Sequence, residues 1–236
     1  MKTHRFIGNF ELKKGSLKLQ DEELLNQIRN VLKLKTGEKI IIGDGYGNEG
    51  TAEIKGYGIS AVEVEVLEVG KNQNELKNNV ILYCAILKKE NFELVVQKAT
   101  EVGAKEIVPV VTERTVKLSL RKDRLEKIIK EASEQSGRGI VPKLHDPIYF
   151  DKLSVIANHN ELNLIFDISG ESFEDLAHLN LSSARRIGVW IGPEGGWTER
   201  ELESALKLNF KVINSGKLTL RAETAAIVAT YLAIHN

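Results

Sequence analysis

The sequence predicts an α/β protein whose parallel-sheet domain follows a β-rich N-terminal domain. Three observations predict it. From Val80 onward, short apolar runs alternate with amphipathic helical stretches, the pattern of a parallel sheet covered on both faces. Before Gly70 the chain is a succession of β-like runs broken by glycine- and aspartate-bearing turns, with one helix among them, which suits a small barrel-like domain. Between the two, GKNQNELKNN is polar and turn-rich, as linkers are. The expected organisation is a β-barrel domain at 1–70, a linker at 71–79 and an α/β domain at 80–236.

In the first domain, Asp21 to Leu34 reads as an amphipathic helix capped by Asp21, with Leu24, Leu25, Ile28, Val31 and Leu32 inward. Strands are expected at Glu38 to Ile42, Thr51 to Ile54 and Ala61 to Val69. The last, AVEVEVLEV, puts Val62, Val64, Val66 and Val69 on one side of a sheet, given a slip at Leu67. Gly45, Gly47 and Gly50 match GxGxxG, but that fingerprint needs a helix after it. More β pattern follows, so the glycines read as a hairpin turn.

In the second domain, strands are expected at Val80 to Leu87, Ile107 to Val111, Leu162 to Asp167, Ile187 to Ile191 and Lys211 to Ile213. Helices are expected at Asn91 to Val102, closed by Gly103, and at Arg121 to Ser136, closed by Gly137. Three more follow at Ser172 to His178, Glu199 to Leu208 and Thr224 to Ile234. The last helix, AAIVATYLAI, is apolar nearly all round. Such a helix is buried on all sides, and a partner subunit would supply the extra cover, so a homodimer is expected.

Composition narrows the function classes. The one cysteine, Cys84, excludes an internal disulfide and sits in the apolar run VILYCAIL as a core residue. No apolar run approaches the roughly 20 residues of a membrane span, and MKTHRFIGNF lacks a signal-peptide core, so a cytoplasmic, membrane-free protein is expected. The five histidines are scattered without metal-like spacing, and no metal is assigned. The formal net charge of zero argues against strong non-specific nucleic-acid binding. Basic residues nevertheless cluster before Lys35 and between Arg114 and Arg138, and local patches can bind phosphate.

Two segments carry the chemistry. In IGPEGGWTERE, Ile191 to Glu201, three glycines permit close ligand approach and Thr198 with Glu201 forms a capping box. It is no Walker loop, since GK[ST] is absent from it. In NSGKLTLRAETAA, Asn214 to Ala226, the apolar extended piece Leu218 to Leu220 precedes Arg221 and Glu223 at a helix start. Such a piece beside a glycine loop suits an adenine ring. Arg221 could serve an anionic group, or pair with Glu223 or Glu194.

These two segments resemble the signatures of the SPOUT methyltransferases, specifically the bacterial small-subunit ribosomal RNA uridine-N3 methyltransferases (RsmE family). VVQKATEVGAKEIVPVVTERT and EASEQSGRGIVP are similar to further segments of that family, and RFI, NVLKLKTGE and the β-rich region resemble its PUA-like RNA-binding domain. The resemblance implies a sheet tied C-terminally in a deep trefoil knot, a homodimer, S-adenosylmethionine as methyl donor and 16S ribosomal RNA, in the small ribosomal subunit, as substrate. It implies donor contacts from Phe166, Ile191, Gly192, Gly196, Leu218, Leu220, Arg221 and Ala225. It implies RNA contacts from Arg5, Arg29, Lys33 and Arg138. Leu218 stands where the family often has a basic residue, and Asn30 where it often has arginine. For the chemistry, Arg221 could stabilise negative charge developing on the uracil oxygens, and Glu194 or Glu223 could accept the N3 proton.

Overall fold

The computed structural model describes residues 3–116, 119–173, 181 and 184–235. The chain divides into two compact units, one of residues 1–75 with 133–141, the other of 76–132 with 142–236.

The first unit holds β1 (His4–Ile7), β2 (Gly15–Leu19), α1 (Glu22–Asn26), β3 (Lys39–Gly43), β4 (Asn48–Tyr57) and β5 (Val62–Lys71). The five strands pair in the order β1-β3-β4-β5-β2, with β1 parallel to β3 and the rest antiparallel. Phe6, Leu19, Ile28, Ile40, Ile42 and Ile54 are buried in its core. Asp21 caps α1, its Oδ1 accepting the Leu24 N–H at 2.8 Å. The expected single helix instead passes into a π turn over Gln27–Val31. A π turn advances each residue by a smaller angle than an α turn, so the inward face runs out of phase. Leu24, Leu25 and Ile28 stay buried while Val31, expected inward, is 65% exposed.

The slip at Leu67 is a β-bulge: Thr51 faces Glu68 and Ala52 faces Val66, leaving Leu67 as the extra residue. A bulge bends and twists its strand. Beyond it Val69, also expected inward, lies exposed. Of the GxGxxG glycines, Gly45 and Gly47 form the β3–β4 turn and Gly50 lies in β4; in the turn Asp44 Oδ1 accepts the N–H groups of Tyr46 (2.7 Å) and Asn48 (3.0 Å). Gly45 and Gly47 both sit at positive φ there, the conformation a tight hairpin requires.

Residues 133–141 join this unit through anchored polar groups. Glu75 Oε1 accepts the N–H groups of Gly139 and Ile140, each at 3.0 Å. Asn72 and Asn74 donate to the Gly137 carbonyl at 3.1 and 3.0 Å. Part of the stretch that composition reads as a linker is thus held by side-chain hydrogen bonds, because asparagine and glutamate satisfy turn backbone as readily as they meet water.

The second unit begins with β6 (Val80–Ala85), α2 (Lys89–Val102) and β7 (Glu106–Val111), followed by α3 (Lys122–Ser136), whose last residues count with the first unit. Then come β8 (Lys143–Leu144), β9 (Ile148–Tyr149), α4 (Leu153–Ala157), β10 (Leu162–Ser172), β11 (Ile187–Ile191), α5 (Glu199–Lys207), β12 (Lys211–Asn214) and α6 (Ala222–His235). The sheet order is β12-β10-β11-β6-β7-β8, with β9 also on β7, and every pair is parallel. The helix expected at Ser172 to His178 is not seen at its start, since Ser172 closes β10; residues 174–178 lie outside the described residues. Cys84 is fully buried, and burial pushes its thiol up, out of reach of ionisation.

Helix α6 packs on α2, β6 and β11 through Ala226, Ala229, Thr230, Ala233 and Ile234. The expected burial on all sides is not met within the chain, for Tyr231 on its other face is 51% exposed. In the core under the sheet, Trp190 stacks on Tyr83 at 3.9 Å and donates to Asn163 Oδ1 at 2.9 Å. Asn160 bridges Asn163 and Arg186, and Arg186 pairs with Glu106 at 2.7 Å. His145 Nε2 lies 2.7 Å from the other Glu106 oxygen. Burial pushes the Glu106 carboxyl up, but hydrogen bonds from Arg186 and His145 more than offset it and leave the group below the ordinary carboxylate value.

Candidate active site

Parallel strands send their loops out at one edge, and in open α/β sheets that edge is where ligands sit. Here the loops after β11 and β12, the end of β10 and the start of α2 enclose a cavity of about 660 Å³. Its size falls in the range of small-molecule sites.

The first loop is held by its own residues. The Gly196 N–H donates to the Pro193 carbonyl at 2.8 Å, closing a turn. Gly196 sits at φ +71, a region that side chains other than glycine enter at a cost. The capping box is present: Thr198 Oγ1 accepts the Glu201 N–H at 3.2 Å and Glu201 Oε2 accepts the Thr198 N–H at 2.9 Å. Trp197 Nε1 donates to the Phe166 carbonyl at 3.1 Å, tying the loop to the end of β10. Gly192 lies under that indole, so close that a Cβ there would meet the ring at 3.1 Å.

The second loop starts at Asn214, whose Nδ2 donates to the Gly170 carbonyl at 2.6 Å and whose Oδ1 accepts the Gly216 N–H at 3.0 Å. After it, the N–H groups of Leu218 and Leu220 have no partner among the described residues. Both residues line the cavity. Unpaired backbone donors beside leucine side chains are the kind of groups that can meet a flat heteroaromatic ring.

Each residue expected to touch the donor borders this one cavity. Phe166 and Ile191 come from strand ends, Gly192 and Gly196 from the first loop, and Leu218, Leu220, Arg221 and Ala225 from the second loop and the start of α6. Glu223 and Glu194 border it too. Glu194 Oε1 accepts the Lys88 N–H at 3.3 Å, while Glu223 Oε2 meets Asn91 Nδ2 at 3.4 Å. Arg221 is exposed and makes no ion pair with either among the described residues, so its guanidinium faces the cavity uncommitted. Lys88, Asn91, Asp167 and Asn214 also line the wall and had not been singled out. The sequence carries a signal for three of them: Lys88 and Asn91 follow β6 and Asn214 ends β12, the ends of parallel strands where ligands sit.

The residues expected to touch RNA are placed otherwise. Arg5 pairs with Glu49 and its side chain is only 9% exposed. Arg138 pairs with Glu75 and is 7% exposed. Both guanidinium groups face carboxylates inside the first unit, where removing either partner would leave a buried charge. Arg29 donates to the carbonyls of Gly58, Ile59 and Ala61 and lies 5.3 Å from the centre of the Tyr57 ring. With Lys33 and Leu34 it lines a shallow cleft of about 430 Å³. Lys33 is exposed.

Among known proteins, the RNA methyltransferase domain family matches residues 74–234, and the RNA methyltransferase PUA domain matches residues 21–67. The ribosomal RNA small subunit methyltransferase E of Mesomycoplasma hyopneumoniae is 37% identical over 172 residues, covering 70% of this chain and 73% of that protein. The protein of the same name from Rickettsia conorii is 32% identical over 234 residues, covering 97% and 94%. In structure, the Neisseria gonorrhoeae ribosomal RNA small subunit methyltransferase E bound to S-adenosyl methionine superposes with a TM-score of 0.87 at 30% identity, over 97% of this chain and 95% of that one. With sequence likeness running through both units and a shared fold over nearly the whole chain, the chain belongs to the ribosomal RNA small subunit methyltransferase E family.

Proposed function

We propose that the chain is an S-adenosylmethionine-dependent methyltransferase acting on N3 of a uridine in 16S ribosomal RNA, with the small ribosomal subunit as its working substrate. The observation that carries the reading is the meeting of both glycine-bearing loops around one cavity whose wall offers unpaired N–H groups between leucine side chains. The donor supplies a methyl group already activated by its sulfonium. The chain therefore has to position, exclude water and manage one proton. Leu218 and Leu220 hold the adenine with side chains and backbone, Phe166 and Ile191 close the apolar floor, and Gly192 and Gly196 let the backbone approach. Ala225, small and at the start of α6, leaves room beside them.

The target base must leave its stack before N3 is accessible. Arg221, unpaired at the cavity, stabilises the negative charge that spreads onto the uracil oxygens as N3 is deprotonated. Glu223 takes that proton. Glu194 is the poorer candidate because one of its oxygens already accepts a backbone N–H, whereas Glu223 has only the 3.4 Å contact to Asn91. Family membership supports three finer points. They are a deep trefoil knot in the C-terminal chain, a homodimer assembled through the exposed side of α6, and a cytoplasmic place of work. No helix among the described residues is long and apolar enough to cross a membrane.

The test is calorimetric titration with S-adenosylmethionine, with Gly196→Val beside the wild type, followed by transfer of labelled methyl to small subunits. Micromolar binding lost in the variant, with label on a uridine N3, is the expected result. A wild type that binds no donor, with or without small subunits, would leave an RNA-binding protein and overturn the enzyme reading.

A further inference from the structure

The segment after β7 is folded on itself. The Thr112 N–H donates to Thr115 Oγ1 at 2.9 Å and the Thr115 N–H returns to the Thr112 carbonyl at 3.2 Å. This closed turn points Glu113 and Arg114 at the glycine loop after β11. Arg114 Nη1 donates to the Gly195 carbonyl at 2.6 Å and to the Trp197 carbonyl at 3.2 Å. The Glu113 N–H donates to Glu201 Oε1 at 3.0 Å. Glu201 is buried, and its other oxygen is spent on the α5 cap. The turn therefore grips the loop twice, and the two carbonyls on either side of Gly196 share one cation.

We infer that Arg114 is a positioning residue for the methyl-donor loop, acting from behind it without touching the donor. The inference rests on the function proposed above. Arg114 does not line the cavity, whereas Gly195 and Trp197 do. Gly195 and Gly196 together give the loop more backbone freedom than any other dipeptide could. The Trp197 indole fixes only one end. A guanidinium is always charged and weakly hydrated, so it can hold two carbonyls in a partly exposed place where a neutral donor would lose them to water. Without it the loop spreads over conformations that do not bind, and apparent donor affinity falls by the fraction that remains competent. Once bound, the donor itself selects the same loop conformation. The cost thus appears in donor binding and little in the methyl transfer that follows.

The test compares wild type, Arg114→Ala and Arg114→Lys by calorimetric titration with S-adenosylmethionine and by steady-state methyl transfer to small subunits. For Arg114→Ala we expect donor affinity about tenfold weaker, the scale of a lost charge-assisted hydrogen bond, with donor KM raised in step and kcat at saturating donor within about twofold of wild type. Low-millimolar guanidinium ion, far below denaturing levels, should recover part of the affinity of Arg114→Ala and change nothing in wild type. Arg114→Lys should lie between the two. Donor binding by Arg114→Ala equal to wild type overturns the inference while leaving the functional reading intact. So does a loss that guanidinium cannot relieve and that tracks unfolding seen by circular dichroism. A wild type that binds no donor overturns both.

Discussion

Gly192 and Gly196 sit in one loop for different physical reasons, and their alanine variants should separate. A Cβ on Gly196 meets nothing within 4 Å, so only its φ of +71 resists substitution; alanine there costs about 1 kcal/mol of backbone strain. A Cβ on Gly192 would press on the Trp197 indole, whose Nε1 ties the loop to Phe166. Gly192→Ala should therefore shift tryptophan fluorescence and weaken donor binding, while Gly196→Ala should lower thermal stability with smaller change at the tryptophan. Equal fluorescence and equal affinity in the two variants would show that the indole contact does not shape the loop. Glu106 gives a second prediction at this scale. Its folded carboxyl lies below the ordinary value because Arg186 and His145 outweigh burial. A depressed carboxyl stabilises the fold above its unfolded pKa and loses that contribution as pH falls through the folded value. Urea midpoints should therefore drop below about pH 5, and Glu106→Gln should be less stable at pH 7 yet flatter in this acid range. A variant with the parent's slope would remove Glu106 from the account.

At the scale of elements, strands were readable where burial on both faces made them uniformly apolar. Ile187–Ile191 and the core of Val80–Ala85 needed no context beyond their own residues. β1 and β2 were not readable, since HRFI and GSLKL are short, mixed in polarity and identified only by the strands they pair with. The π turn after α1 was invisible for a similar reason: its sequence keeps helical periodicity, and only the packing reveals that Val31 has rotated out. In the site, glycines and capping residues announced both loops. Arg114 did not announce itself, because it reaches the glycine loop from an element distant in sequence. The first unit supports a prediction about its cleft. Arg29 is spent on three carbonyls and on the Tyr57 ring, which leaves the ring and Lys33 as the groups able to meet a base and a phosphate. In anisotropy titrations with single-stranded RNA, Tyr57→Ala should weaken binding about tenfold, as loss of one stacked base does. Tyr57→Phe should bind nearly as wild type, and Lys33→Ala should reduce the salt slope by about one. Weak binding by Tyr57→Phe would mean that the hydroxyl bond to the Leu34 carbonyl matters more than the ring.

At the scale of the whole molecule, the last helix poses the remaining question. Its sequence is apolar nearly all round, and a helix of that kind is ordinarily a buried one. The chain covers one face, through Ala226, Ala229, Thr230, Ala233 and Ile234. Ile227 and Val228 remain partly open and Tyr231 is 51% exposed, its ring 4.4 Å from that of His235. An aromatic with aliphatic neighbours on an open helix face is the composition of an interface centre. A two-fold axis there would bring each helix against its copy and satisfy the pattern without a second kind of partner. A stable dimer needs about 800 Å² of buried surface per subunit, so further residues must join α6. Placing charge at the centre is nevertheless enough to test it, because a carboxylate buried in an interface without a partner is strongly unfavourable. Sedimentation equilibrium should give a dimer for wild type and a monomer for Ile227→Asp combined with Tyr231→Glu. α6 follows directly from Arg221, and Ala225 and Glu223 lie in its first turn. The monomeric variant should therefore also bind the donor less tightly while keeping its far-ultraviolet circular dichroism. A dimer that survives both charges would move the interface elsewhere and leave the apolar side of α6 without a reason; a monomer with undiminished donor affinity would separate assembly from the site.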